Sequence, residues 1–388
     1  MASSPPPVLT VRGGTVVTGA TRQQRADLTA ADGLIATIGA RLRRGATLDA
    51  GGLLVAPGYL DAQCNGAFGI DLAATPERVG ELAGHLPATG VTSWCPTLVT
   101  SPPDRVGRLL VALDAVAAGP VPGAAAIVGA HLEGPILNPV RRGAHPEHLL
   151  RGVDEVDTSG WSRVAGVALV TLAPELAGAL ELATALRRRG VVVSAGHTDA
   201  TPTELDAAWA AGVRCVTHLY NGMPPLHHRR PGPPGWTLAH PSVVAGLLAD
   251  GVHVDPLTVA LAFRAIGPRR TMLVSDVVAG AGLASAGAAA SLGDGTLAGG
   301  TTFLDQCVRN LVAFTGCSPA VAISCATAVP ARLLGRRDRG RLAVGRRADL
   351  VLLTPDLHVV GTVVAGVPSA SLADRLSPAP PRTRRRVG

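Results

Sequence analysis

The chain has 388 residues, 47% hydrophobic and only 3% aromatic, with 47 Gly and 31 Pro, a globular composition whose large core must be built from Ala, Val and Leu. All 35 basic residues are Arg, which excludes a Schiff-base lysine, a lysine general base and a carbamylated lysine bridging two metals. The net charge of +7 is scattered and forms no basic stripe interleaved with aromatics, which argues against a nucleic-acid partner.

In chain order, residues 8 to about 55 read as short strands broken by turns: VLTVRGGTVVTG, ADLTAADGLIATIG and ATLDAGGLLVAPG. The same texture returns near the C-terminus in GRLAVGRRADLVLLTPDLHVVGTVVAG. Between them, strand-like apolar runs alternate with amphipathic stretches such as PERVGELAGHL and PELAGALELATALRRRG, as a βαβα series does. The expected fold is α/β: a (β/α)8 TIM-like barrel over 58–340, with a small β-sandwich domain built from both termini, residues 1–57 and 341–374. Residues 375–388, ending in PRTRRRVG, are expected to be a mobile tail. The opening MASSPPPVLTV has no basic region followed by a sustained apolar stretch, and no run approaches the ~18 apolar residues of a membrane span. Six dispersed cysteines form no CxxC pair, so a cytoplasmic protein with reduced thiols and no membrane association is expected.

Four apolar runs stop at a residue able to bind a metal or move a proton: AAIVGAHLEG at Glu133, VVVSAGH at His197, RCVTH at His218 and TMLVSD at Asp276. Each is short and rich in β-branched residues, which suits a buried parallel strand. The C-terminal ends of barrel strands share one rim, where catalytic groups collect. Glu133, His197 and His218 offer one carboxylate and two imidazoles, a set suited to Zn²⁺ with a position left open; Fe²⁺ and Mn²⁺ also fit such ligands. A lone histidine ending a strand is more often a core residue, so the weight lies on the three together. His131, two residues before Glu133, shares its face on a regular strand and is either a ligand or a group that orients the carboxylate. Asp276, closing LVSD, is either a carboxylate placed to take and return a proton at the rim or the N-cap of a helix after its strand.

Seven segments in order, PGYLDAQCNG (57–66), GAHLEGPILNPVRRGAH (129–145), SAGHTDAT (194–201), THLYNGMPPLHHRRPG (217–232), LLADGVHV (247–254), LVSDVVAGAG (273–282) and the closing GRLAVGRRADLVLL, resemble the N-acetylglucosamine-6-phosphate deacetylases of the amidohydrolase superfamily. The resemblance implies metal ligands at Glu133, His197 and His218, and a catalytic acid/base at Asp276. It implies substrate contacts at Ala144, His145, Asn221, Gly222, Arg229 and His253, and backbone contacts at Leu297, Ala298 and Gly299. Where many amidohydrolases carry an HxH pair for a second metal, this chain reads Gln63-Cys64-Asn65, as some members of the family do. One divalent ion is therefore expected, with Gln63 near it and His131 in a supporting role. In some members the phosphate-binding Arg reaches the site from the adjacent subunit, which implies a homodimer. The reaction expected is hydrolysis of N-acetylglucosamine 6-phosphate to glucosamine 6-phosphate and acetate. The alternatives are another N-acyl amino sugar or its phosphate, such as N-acetylgalactosamine 6-phosphate, and a non-catalytic sugar-phosphate binding protein.

Overall fold

The structure is a computed structural model that describes residues 8–19, 22–42, 45–284, 287, 289–293 and 295–378. Eight runs form parallel strands: β1 (Tyr59–Cys64), β2 (Val91–Val99), β3 (Ala130–Glu133), β4 (Val167–Leu172), β5 (Val192–Ala195), β6 (Val213–Val216), β7 (Val244–Leu247) and β8 (Thr271–Leu273). Each pairs in parallel with the next. The last seam, between β8 and β1, is made just beyond β8: Asp276 N–H donates to the Gln63 carbonyl at 2.9 Å and Asn65 N–H to the Val277 carbonyl at 2.8 Å. Being buried on both faces, strands such as β4 (VALVTL) and β7 (VAGL) carry near-continuous apolar runs rather than alternation.

Helices α1 (Val79–His85), α2 (Pro103–Ala118), α3 (Ala179–Arg188), α4 (Pro202–Ala211), α5 (Gly232–Ala239), α6 (Pro256–Ile266) and α7 (Leu304–Thr315) surround the barrel. Local chemistry sets their limits. In α4, Thr201 and Glu204 form a reciprocal cap, Pro202 occupies the first turn and Gly212 ends the helix. In α3, Ala179, Leu182, Ala183 and Leu186 form the buried stripe, and Arg187 and Arg188 sit favourably in the last turn. Between β3 and β4 the chain makes only 3-10 turns. This long β3–β4 connection runs over the rim.

Strands from both chain ends build two further sheets, one of five strands and one of six. Leu350–Leu353 pairs antiparallel with Leu54–Pro57, which brings the two termini together. The sheets share a buried cluster that includes Leu9, Val11, Leu28 and Leu48 from one and Val16, Val55, Leu350 and Val363 from the other. The arrangement is a sandwich. The segment read as a mobile tail begins with Leu376–Ser377 paired to Thr47–Leu48; residues 379–388 of that expected tail lie outside the described residues. Among the described residues, no helix is long and apolar enough to cross a membrane.

Candidate metal and active site

Glu133 is the last residue of β3, His197 and His218 stand two residues beyond β5 and β6, and Asp276 three beyond β8. The last three have positive φ, at +49°, +29° and +51°. Such left-handed backbone costs a non-glycine residue about 1 kcal/mol or more and persists where surrounding structure enforces it. Here it turns the chain sharply at the rim.

Glu133 Oε1 lies 3.0 Å from His218 Nε2 and 3.3 Å from His197 Nε2, and the two nitrogens are 3.0 Å apart. His197 Nδ1 lies 2.9 Å from the Arg141 carbonyl, which fixes the ring proton on Nδ1 and leaves Nε2 as a bare lone pair. Three potential ligand atoms thus converge, one from each residue and each within 4.8 Å of the others. A proton bridges one pair of acceptors; a cation at their centre satisfies all three. All three side chains are buried, and although burial pushes the Glu133 carboxyl up, His197 and His218, when protonated in place of an ion, hold it well below the usual range by hydrogen bonds and charge. A carboxylate with two imidazoles fits a divalent ion.

Asp276 is 9% exposed, and burial, reinforced by the Glu133 charge, pushes its carboxyl up to about 6. The neighbouring positions on β1 and just past it divide their work. Gln63 Nε2 lies 3.2 Å from each Glu133 oxygen, whereas Asn65 Nδ2 donates to Asp276 Oδ1 at 2.7 Å. The pair standing where an HxH motif would hold a second ion therefore donates amide protons to the two site carboxylates. His131 does not orient the Glu133 carboxylate. Its ring nitrogens are spent on Thr171 Oγ1 at 2.7 Å and the Ala62 carbonyl at 3.2 Å, so it ties barrel strands together, and burial lowers its pKa to about 4.

A cavity of about 530 Å³ opens above Glu133, His197, His218 and Asp276. Ala144 and His145, from the β3–β4 connection, line it together with Asn221, Gly222 and His253. The hairpin of Ala289–Ser291 and Leu297–Gly300 brings Leu297, Ala298 and Gly299 to the same cavity. The Thr100 amide donates to His145 Nδ1 at 3.2 Å, so the His145 proton sits on Nε2; burial lowers the pKa of this ring to about 3 and keeps it a neutral donor. His253 Nδ1 is 2.6 Å from Asp250 Oδ2, which leaves Nε2 for the cavity. Sequence reasoning missed Asp250, although its place three residues before His253 in DGVHV was a usable signal.

Arg229 is the exception. It is exposed on the loop between β6 and α5, and among the described residues lining the cavity none is Arg. A bridge between His227 and Arg230 closes the loop tip. A reading of residue types cannot foresee on which side of such a tip a side chain emerges.

A profile of the amidohydrolase family matches residues 55–368. The chain is similar to the N-acetylglucosamine-6-phosphate deacetylase of Rattus norvegicus, with 38% identity over 352 residues covering 82% of this chain and 84% of that protein. Among solved structures it is similar to the N-acetylglucosamine-6-phosphate deacetylase of Thermotoga maritima, with a TM-score of 0.83 and 31% identity over 92% of this chain and 99% of that one. A mutant of the Mycobacterium smegmatis deacetylase in complex with N-acetyl-D-glucosamine-6-phosphate superposes with a TM-score of 0.83 at 33% identity, over 93% of this chain and 98% of that one.

Proposed function

The chain belongs to the amidohydrolase family, and from that membership we propose that it hydrolyses N-acetylglucosamine 6-phosphate to glucosamine 6-phosphate and acetate. The observation that carries this reading is the convergence of Glu133, His197 and His218 beneath one cavity that also holds the carboxylate of Asp276.

In this reading Glu133, His197 and His218 hold one divalent ion, and their donor set favours Zn²⁺. Such an ion, when bound, supplies Lewis acidity that polarises the acetamide carbonyl and makes water a better nucleophile at neutral pH. Asp276 takes a proton from the attacking water and passes it to the nitrogen as the C–N bond breaks. The water oxygen ends in acetate and the proton on the amine. His145 presents Nε2–H to the cavity as a neutral donor, suited to a substrate oxygen. Gln63 and Asn65 keep the two carboxylates in place, and their amides leave the HxH position without ligands for a second ion.

A phosphate is best met by a guanidinium, and among the described residues lining the cavity of one subunit none is Arg. We read the functional unit as a homodimer in which Arg229 of one copy completes the site of the other. The surface supports this reading: Leu226 on the Arg229 loop is 46% exposed, and Leu257 and Leu261 on α6, which packs on α5, are 78% and 54% exposed. A cytoplasmic setting agrees with six free cysteines, five of them buried.

The test is acetate release from N-acetylglucosamine 6-phosphate by the purified protein after chelation and again after stoichiometric Zn²⁺ is restored. Metal-restored turnover is expected. Fully metallated protein that releases no acetate from this sugar overturns the substrate reading, and the galacto epimer and the unphosphorylated sugar are then assayed in turn.

A further inference from the structure

Glu175, three residues beyond β4, belongs to none of the groups considered so far, yet its carboxylate is where the loops around His197 meet. Its Oε1 accepts from Asn138 Nδ2 at 2.9 Å and from the Asp199 amide at 2.7 Å, and its Oε2 accepts from the Thr198 hydroxyl. Asn138 belongs to the β3–β4 connection, and its own amide donates to the His197 carbonyl at 3.0 Å. Thr198 and Asp199 follow His197 directly. Arg141, whose carbonyl fixes the His197 ring proton, pairs through its guanidinium with Asp199 at 2.9 Å. Two loops from β3 and β5 thus meet at His197. The carboxylate from β4 is the node between them.

We infer that Glu175 is a positioning residue that holds His197 in its metal-binding pose by joining the Asn138–Arg141 and Thr198–Asp199 segments. The inference rests on the reading of Glu133, His197 and His218 as a metal site. The node needs acceptors, because three donors point at it, and the two oxygens of a carboxylate satisfy all three. Glutamine keeps one oxygen for the Asn138 and Asp199 N–H groups and offers its NH₂ to the Thr198 hydroxyl, so it largely preserves the node, whereas alanine removes all three bonds. The left-handed backbone at His197 gives the node its importance, since an unfavoured φ of +49° relaxes when the flanking contacts are lost. A relaxed His197 moves its Nε2 away from Glu133 and His218.

The experiment is Zn²⁺ affinity of the full-length apoprotein by competition with a chromophoric chelator, together with the thermal midpoint of the apoprotein. Groups that orient a metal-bound histidine typically change affinity by roughly 10–100-fold. Glu175→Ala, which removes all three bonds, is expected to weaken Zn²⁺ binding within that range. Thr198→Val, which removes one of the three bonds without altering charge, is expected to give a smaller loss, and the double variant no more loss than Glu175→Ala alone. A dissociation constant for Glu175→Ala within twofold of wild type overturns the inference, even if the apoprotein midpoint has fallen, because a purely structural role predicts that pattern. If Glu175→Ala does not fold, an unchanged affinity in Thr198→Val overturns it. His197→Ala in the same assay separates the two claims: if it binds Zn²⁺ like wild type, the metal reading falls and the role of Glu175 with it; if it loses Zn²⁺ while Glu175→Ala retains it, only the role of Glu175 falls.

Discussion

The side-chain amide of Asn65 donates to Asp276 Oδ1 at 2.7 Å, joining residues 211 positions apart across the seam that closes the barrel. Burial and the charge of Glu133 push the Asp276 carboxyl up to about 6, and the Asn65 donor counters them by favouring the ionised form. A divalent ion on Glu133 would offset that charge and favour the ionised carboxylate further, the form able to take a proton from water, while burial keeps the cost of ionisation high enough for the group to return the proton to an amine.

Asp276→Asn keeps the size and polarity of the side chain and removes its basicity. Metal content is expected to stay at the wild-type value, while turnover falls by roughly 10²–10⁴-fold, the usual share of a general acid/base. Elemental analysis and acetate release on the same preparation check both halves. A variant that retains full turnover excludes Asp276 from proton transfer.

Two histidines of the site region should separate cleanly under substitution. His197→Ala deletes a converging lone pair and is expected to lose the bound ion. His131→Ala deletes a ring whose nitrogens face Thr171 and the Ala62 carbonyl, so the ion should remain while the fold loses about 1–3 kcal/mol for unsatisfied buried groups, with a further cost for the cavity. Metal analysis and denaturant unfolding distinguish the two. Loss of the ion from a folded His131→Ala protein would place that ring at the metal after all.

The convergence of Glu133, His197, His218 and Asp276 was legible because parallel barrel strands end at a common rim, so a polar residue closing each apolar run is carried to one place whatever its distance in sequence. The sandwich was legible for a similar reason: turn-rich strands recur at both ends of the chain and have no partner without each other. Side-chain direction was not legible. His131 shares a strand face with Glu133, but its ring nitrogens are taken by Thr171 and Ala62, because the fold supplies buried partners that periodicity does not reveal. Glu175 was silent as well, because it works by hydrogen bonds to loops, and loop geometry leaves no periodic trace.

Asp61 gives a stability prediction with a definite sign. It is 3% exposed on β1, accepting from the Gln63 amide at 3.2 Å, the Ser275 amide at 3.3 Å and the Ser275 hydroxyl. Burial raises its pKa from 3.8 to about 6 in spite of those bonds. An acid whose folded pKa lies above its unfolded value holds its proton more tightly when folded. Its charge therefore opposes folding at pH above 6, and the penalty fades as pH falls from 6 toward 3.8. Asp61→Asn keeps one oxygen for the two amides and offers its NH₂ to the Ser275 hydroxyl. It is expected to be more stable than wild type at pH 8, by up to on the order of 3 kcal/mol, and to converge with it near pH 4. Unfolding free energies at the two pH values test this, and a gap that widens toward acid would reverse the sign.

Arg229 allows the dimer reading to be tested through activity rather than mass. The residue is exposed, and the cavity of its own subunit has no arginine among its described lining residues. If Arg229 serves the neighbouring site, Arg229→Ala should raise KM for the phosphorylated sugar by roughly tenfold or more, the loss expected for a charge-assisted contact of about 1.5–3 kcal/mol, and leave kcat for the unphosphorylated sugar unchanged. Mixing then decides which subunit is served. An Asp276→Asn subunit has a dead site but an intact Arg229, and an Arg229→Ala subunit has a competent site but no arginine to lend. In a mixed dimer the arginine of the first completes the site of the second, so denaturing and refolding the two together should restore low-KM activity that neither shows alone. If Arg229 acts within its own subunit, every site in the mixture lacks one of the two groups, and the mixture remains as impaired as its parts.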